Sequence, residues 1–397
     1  MQRSFDIAVI GGGVVGLAIL RRFAMSGLSA VLLERGADIL NGASKGNSAL
    51  LHTGFDAPTG STELACMQAG YAEYLAIHEK LNLPLVQSTA LVVAWSEQEQ
   101  AKLDGIMAKA HANGVADVRH VARDELRKLE PKLSPAAKAA VLVPGEHIID
   151  AWSAPLAYAH QALAHGAVIL RNAEVTGGNF SNGEWTLASK AGPVTARIVI
   201  NAAGNFGDLV EAMARVSPFT ITPRRGQFVV FDKEASQLVD AIILPVPTER
   251  TKGVVLFRTA YGNLAIGPTA EDVTEREVAA TDTATLERLK ARALDMVPSL
   301  AGIGVNAIYA GLRPATEHKD YVIEALPERG WITVGGIRST GLTACLGIAQ
   351  HVAKLYALHS EHCRIRPIRS GHRCPTSPRT ARAPTCKAVR SSVIASA

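Results

Sequence analysis

At 397 residues with 48% hydrophobic side chains, the chain is long enough for two or three domains with sizeable cores. Its net charge of +5 hints at acidic partners, but residues 361–397 carry eight Lys and Arg against one acid, and the preceding 360 are net −2. Nucleic-acid binding is thus without electrostatic support. No apolar run reaches the roughly 18 residues of a membrane helix. The five cysteines lack C-x-x-C or zinc-type spacing, so neither a disulfide framework nor a metal site is expected.

The first predicted unit is strand, turn, helix, strand. Asp6–Ile10 is a short apolar run suited to a strand buried on both faces of a parallel sheet. Gly11, Gly13 and Gly16 follow at G-x-G-x-x-G spacing, and a helical pattern runs to Ser26 with Gly27 as its stop. In that pattern Gly11 permits the tight turn, Gly13 lets backbone approach a pyrophosphate, and Gly16 lets helix and strand pack closely. The helix N-terminus offers free N–H groups to the phosphates. Glu34 closes the strand Ala30–Leu33, where a carboxylate can accept ribose hydroxyl protons. The spacing predicts an ADP-containing dinucleotide, NAD or FAD. With the first strand at residue 6 there is no room for a signal peptide. The expectation is a cytoplasmic enzyme, with membrane contact at most peripheral.

Ala37–Ser61 is a long loop rich in Gly, Ser and Asn, and long loops inside compact domains are usually functional. Helices are predicted over Leu64–Ile77, Glu97–Ala112, stopped by Asn113-Gly114, and Arg123–Leu129, with a strand over Leu91–Ala94. Ser153 is placed as the cap of a helix reaching His165, with Pro155 in its first turn. Strands are expected at Ala167–Leu170 and Arg197–Ala203, with Glu174-Val175 between them as the chain's return to the nucleotide domain. A helix is expected near Asp208–Arg215. Between Ile221 and Gly267 several short strands separated by turn residues predict an antiparallel sheet rather than more βαβ units. Leu286–Met296 is helical, Ala307–Leu312, Tyr321–Ile323 and Trp331–Val334 are strands, and Gly335-Gly336 leads to a last helix over Leu342–Leu358. The fold class is α/β, an α+β two-domain arrangement. A discontinuous Rossmann-type domain takes residues 1–75, 145–215 and 328–360; an antiparallel-sheet substrate domain takes 76–144 and 216–327.

GGGVVGLAILRR (Gly11–Arg22), Glu34 and GASKGNSALLHTGFD (Gly42–Asp56) are followed by VINAAG (Val199–Gly204), ITPRRGQF (Ile221–Phe228) and GNLAIGPTAED (Gly262–Asp272). AGLRP (Ala310–Pro314) and GGIRSTGLTA (Gly335–Ala344) complete the series. Together they resemble FAD-dependent oxidoreductases of the D-amino-acid oxidase superfamily, above all its glycerol-3-phosphate dehydrogenases and oxidases, with L-2-hydroxyglutarate oxidases as near relatives. The resemblance covers about residues 4–360 and implies non-covalent FAD. Implied cofactor contacts are Gly11, Gly13, Val14, Val15, Gly16, Glu34 and Arg35 in the first unit, then Ser44, Asn47 and Ser48 in the long loop. Val175, Ala203, Gly204, Gly336, Arg338, Gly341, Leu342 and Thr343 complete the set.

The implied reaction is hydride transfer from a small anionic secondary alcohol to flavin N5, with glycerol 3-phosphate as first substrate and L-2-hydroxyglutarate or another 2-hydroxy acid as alternative. An amine or amino acid, or a non-catalytic FAD-binding subunit of an electron-transfer complex, are further readings. Such an oxidation needs a base for the hydroxyl proton and cations for the substrate's acidic end. His52, with an unperturbed pKa near 6.5, is the natural base, and Ser48 matches a serine of related sites. Arg313 is the expected anion anchor because a guanidinium holds phosphate or carboxylate with two parallel hydrogen bonds. Lys252 would add a second positive point, with Arg258 a weaker candidate; Arg224 and Arg225 line the sheet domain or form surface ion pairs. Arg338-Ser339 departs from many glycerol-3-phosphate enzymes, which bears on substrate more than cofactor. The electron acceptor is oxygen, a quinone or a redox partner.

From residue 361 the apolar period disappears, and the basic, proline-containing tail reads as disordered. A second reading is a shifted frame near Pro367: with codons chosen to suit, the stretch ends in C-H-C-E, resembling the start of a small [2Fe–2S] domain that follows some relatives. A genuine basic tail would instead suit an anionic membrane or a partner.

Overall fold

The computed structural model describes residues 4–247 and 253–363. Its first unit is β1 (Ser4–Ile10), α1 (Val14–Met25) and β2 (Ala30–Leu33). β1 pairs in parallel with β2 on one side and with the strand Val194–Asn201 on the other. Buried on both faces, these strands need the unbroken apolar runs the sequence supplies. Val168–Leu170 extends the sheet beyond β2. At the other side, Val194–Asn201 pairs along its first half with a hairpin and along its second half with Trp331–Gly335, which in turn pairs with Val322–Leu326. The eight-stranded sheet therefore collects three distant stretches of chain.

Two differences from the sequence reading lie here. The hairpin Val175–Ser181/Glu184–Ser189 was unforeseen, although Asn182 and Gly183, at φ 53° and 80°, supply the left-handed turn that an Asn-Gly pair favours. Val322–Leu326 is bonded to the nucleotide sheet, so the expected boundary at 327/328 falls between two paired strands.

The helices α1, Thr62–Ile77, Ser153–Ala164 and Gly341–Cys363 share one apolar core with the sheet's inner face. Ser153 does not cap its helix. Asp150 Oδ2 instead accepts from the Ser153 N–H and hydroxyl, a carboxylate three residues upstream doing what the serine was expected to do. Two helices cross with their backbones in contact: a Cβ on Gly70 would lie 2.1 Å from the carbonyl oxygen of Thr343, and one on Gly347 2.0 Å from that of Cys66. Cys66 and Cys345 are buried here, their thiols pushed up to about 12 chiefly by burial. That suits packing rather than reactivity.

A second sheet of nine strands uses chain from two separate intervals, residues 90–143 and 222–315. It is antiparallel as expected, with one exception: Ile242–Pro245 runs parallel to Ala90–Ala94. These strands come from different intervals of the chain, so no hairpin dictates their direction. The long helix predicted over Glu97–Ala112 is divided into Glu97–Gln100 and Leu103–Ala112. A small third sheet pairs Leu50–Leu51 and Leu85–Val86 with His147–Ile149, which brings the chain after Leu51 beside the chain before His147.

Gly347→Ala should lower the thermal midpoint by a few degrees, since forcing a methyl into packed backbone costs roughly 1–3 kcal/mol. An unchanged midpoint would contradict the close helix crossing.

Candidate active site

A cavity of about 460 Å³ runs from the end of β2 to the start of the helix Gly341–Cys363. The glycine loop forms its floor. Gly11 has φ +110°, and a Cβ there would lie 2.4 Å from the Ala202 carbonyl oxygen; one on Gly16 would lie 2.0 Å from that of Gly11. Any larger residue would push the loop off the neighbouring strand. Gly13 meets only Ser44 Oγ, which also accepts the Val14 N–H at 3.0 Å. Glu34 does more than cap a strand: Oε2 accepts the Gly12 N–H and Oε1 the Gly36 N–H, each at 2.7 Å.

Gly11, Gly13, Val14, Val15, Glu34 and Arg35 line the cavity at this end with Val175, Ala203 and Gly204. Arg35 lies over the Phe206 ring, 3.8 Å from its centroid, and pairs with Glu277 at 2.7 Å. Arg276 and Glu277 join the lining from the stretch between the strand Glu271–Asp272 and the helix Thr283–Met296, and Arg276 is clamped by both oxygens of Asp208. Neither residue carried a sequence signal. Ser44 and Asn47 line the middle, and Gly336, Arg338, Gly341 and Leu342 the far end. There the closing helix directs unpaired N–H groups and the positive end of its dipole towards the cavity. The Arg338 guanidinium is turned to Glu63 at 3.2 Å and to the Lys319 carbonyl. A side-chain-free backbone groove, a carboxylate one strand over and a helix start at the far end together fit a dinucleotide.

Gly16, Ser48, His52, Arg313 and Thr343 stand outside that lining. Thr343 Oγ1 accepts the His52 N–H at 3.1 Å and donates to the Leu50 carbonyl, tying the long loop to the closing helix. His52 Nδ1 lies 2.7 Å from Glu146 Oε2. Glu146 is wholly buried, and its Oε1 accepts the Thr53 N–H and hydroxyl at 2.7 and 2.8 Å. Sequence reasoning missed Glu146: the third sheet's register places it there, from nearly a hundred residues away.

Arg313 belongs to the strand Val305–Ala315. It shares a face with Gly311, which touches Gly46, and with Tyr309, whose hydroxyl donates to the Asn47 carbonyl at 3.1 Å. Its guanidinium donates through Nε and Nη2 to the carbonyls of Arg224, Arg225 and Thr269, and it has no ion pair among the described residues. Burial, then the charge of Arg224, pushes its pKa down to about 10. Arg224 and Arg225 themselves pair with Asp272 and with Glu271 and Asp282, and Arg258 with Asp240. Lys252 lies outside the described residues, as does the tail beyond residue 363.

The profile of the family described as FAD dependent oxidoreductase matches residues 6–355. The chain belongs to that family. It is 30% identical over 349 residues to a glycerol 3-phosphate dehydrogenase of Caloramator mitchellensis, covering 88% of this chain and 73% of that one. Among solved structures, the FAD-bound, dithionite-reduced L-α-glycerophosphate oxidase of Mycoplasma pneumoniae superposes with a TM-score of 0.82 at 26% identity, covering 89% of this chain and 94% of that one. An L-2-hydroxyglutarate dehydrogenase of Indibacter alkaliphilus is 28% identical over 279 residues, 69% of each chain. The chain is thus an FAD-dependent oxidoreductase with a two-domain, Rossmann-type fold, and FAD is its cofactor. No helix among its described residues is long and apolar enough to cross a membrane.

In this flavoprotein, Glu34→Ala would leave the Gly12 and Gly36 N–H groups without their partner. At about 1–3 kcal/mol for each unsatisfied buried group, FAD affinity should fall at least about tenfold, measured by titrating apoprotein with FAD. Wild-type affinity would show that the carboxylate does not shape the loop.

Proposed function

We propose that this FAD-dependent oxidoreductase oxidises the secondary alcohol of a small anionic substrate, glycerol 3-phosphate first. One observation carries the reading: the His52 N–H is bonded to Thr343 in the first turn of the helix whose Gly341 and Leu342 line the cavity. His52 is thereby tied to the end of the cavity opposite Glu34. The site residues named from the sequence are proposed in the roles given there.

Bound FAD supplies the two-electron acceptor. The chain's part is to hold the substrate and move one proton. His52 takes the hydroxyl proton as the carbinol C–H bond is broken. Arg313, a half-buried cation whose hydrogen bonds among the described residues all go to carbonyls, gains most from an anion because burial has stripped it of water without a paired carboxylate among those residues. Ser48, four residues before His52, and Lys252 add polar contacts to substrate in this proposal. The named relatives favour glycerol 3-phosphate, and the 2-hydroxyglutarate enzymes among them make that 2-hydroxy acid the second substrate to test. Electrons leave to oxygen, a quinone or a redox partner, and the proposed setting is the cytoplasm, with peripheral membrane contact at most.

Steady-state assays with a dye acceptor should rank glycerol 3-phosphate above L-2-hydroxyglutarate; turnover of neither would refute the proposal. His52→Ala should slow turnover by about 10²–10⁴-fold, the usual worth of a positioned base, in protein that still purifies yellow. Arg313→Ala should raise KM about 10–100-fold, the equivalent of a lost charged hydrogen bond of roughly 1.5–3 kcal/mol. An unaltered KM would remove Arg313 from the substrate's anionic end.

A further inference from the structure

We propose that Glu146 is the positioning residue of the His52 base, fixing the ring tautomer that leaves Nε2 as the basic nitrogen. This rests on the reading of His52 as the base.

Glu146 is 0% exposed, and its Oε1 is committed to both donors of Thr53. The Thr53 hydroxyl accepts the Phe55 N–H at 3.3 Å, so its own hydrogen is directed to the carboxylate. Oε2 faces His52 Nδ1 at 2.7 Å. An ionised carboxylate can only accept, so Nδ1 must carry the hydrogen. The neutral ring then has Nε2 as its acceptor, and the imidazolium formed after proton uptake keeps its counter-charge in place.

The carboxylate is held firmly enough to do this. Its neighbour Gly145 gives its carbonyl to the Tyr71 hydroxyl at 2.7 Å, and a Cβ on Gly145 would lie 2.8 Å from Thr53 Cγ2. On the other side, His147 pairs with Leu51 in the third sheet, setting Glu146 opposite His52. Among the described residues, Tyr71 from the helix Thr62–Ile77 feels the Glu146 charge, and His147 stacks on Tyr71. The Tyr71 hydroxyl is pushed up to about 12 by burial, then by Glu146 and Asp117, so it stays neutral over the working range.

Glu146→Gln separates positioning from bulk. The amide oxygen must stay with the two Thr53 donors, which turns the NH₂ towards Nδ1 and forces the ring hydrogen onto Nε2. Nitrogen NMR of the FAD-loaded wild type should show His52 protonated at Nδ1, and Glu146→Gln should move that proton to Nε2. Turnover should fall about 10²-fold or more, and the acid limb of kcat/KM should move to lower pH, because the charge favouring imidazolium is gone. Glu146→Asp should recover part of the rate, and Glu146→Gln should add nothing to His52→Ala.

A wild-type His52 protonated at Nε2 would overturn the proposal even if no Glu146 variant folds. Multiplicative losses in the double variant would overturn it too, since they mean that Glu146 acts independently of His52. The two readings fail separately: undiminished turnover in His52→Ala removes the base itself, whereas a slow His52→Ala beside a wild-type-like Glu146→Gln removes only the positioning role.

Discussion

The Glu34 carboxylate receives backbone N–H groups from both sides, Gly12 in the glycine loop and Gly36 just after β2. It closes one end of the cavity. Its bond to Gly12 holds the loop against the strand, where Gly11 and Gly16 leave no room for a Cβ. The same carboxylate lines the cavity, so the group that anchors the loop also borders the space beside it. Hydrogen bonds from backbone N–H to charged acceptors are about twice as strong as neutral ones, which suits a residue that anchors the loop from both sides.

At the opposite end the corresponding element is the Thr343 hydroxyl. It joins the long loop to the first turn of the closing helix, and with it two segments almost three hundred residues apart. The loop also touches the second sheet, where Gly46 meets Gly311 and Asn47 meets Tyr309. Through these contacts one short stretch, residues 44–53, borders the cavity, carries His52 and abuts the strand that bears Arg313. A discontinuous nucleotide domain permits this geometry, because each return of the chain delivers another wall of the site.

What could be read from the sequence follows the range of the interaction. The glycine spacing, the apolar strands on either side of it and the acid closing the second strand are local patterns with a fixed geometric consequence, and the first unit forms as they require. The Asn182-Gly183 turn is an equally local pattern. The division of the predicted helix at 101–102 shows how weak the signal is when no Gly or Pro marks a break. Glu146, Arg276 and Glu277 lay beyond reach for another reason. Each is placed by a pairing or clamp with residues far away in sequence, through His147 with Leu51, Asp208 with Arg276 and Arg35 with Glu277. Charge and residue type alone do not distinguish such positions from solvated surface.

In the proposed reaction, hydrogen leaves a carbinol carbon held between His52 and Arg313. Rapid anaerobic mixing of the FAD-loaded protein with glycerol 3-phosphate, unlabelled or deuterated at its central carbon, measures that event through the flavin absorbance. Bleaching that deuterium slows several-fold is the predicted result. Absent bleaching, or bleaching at the same rate with both substrates, would contradict it.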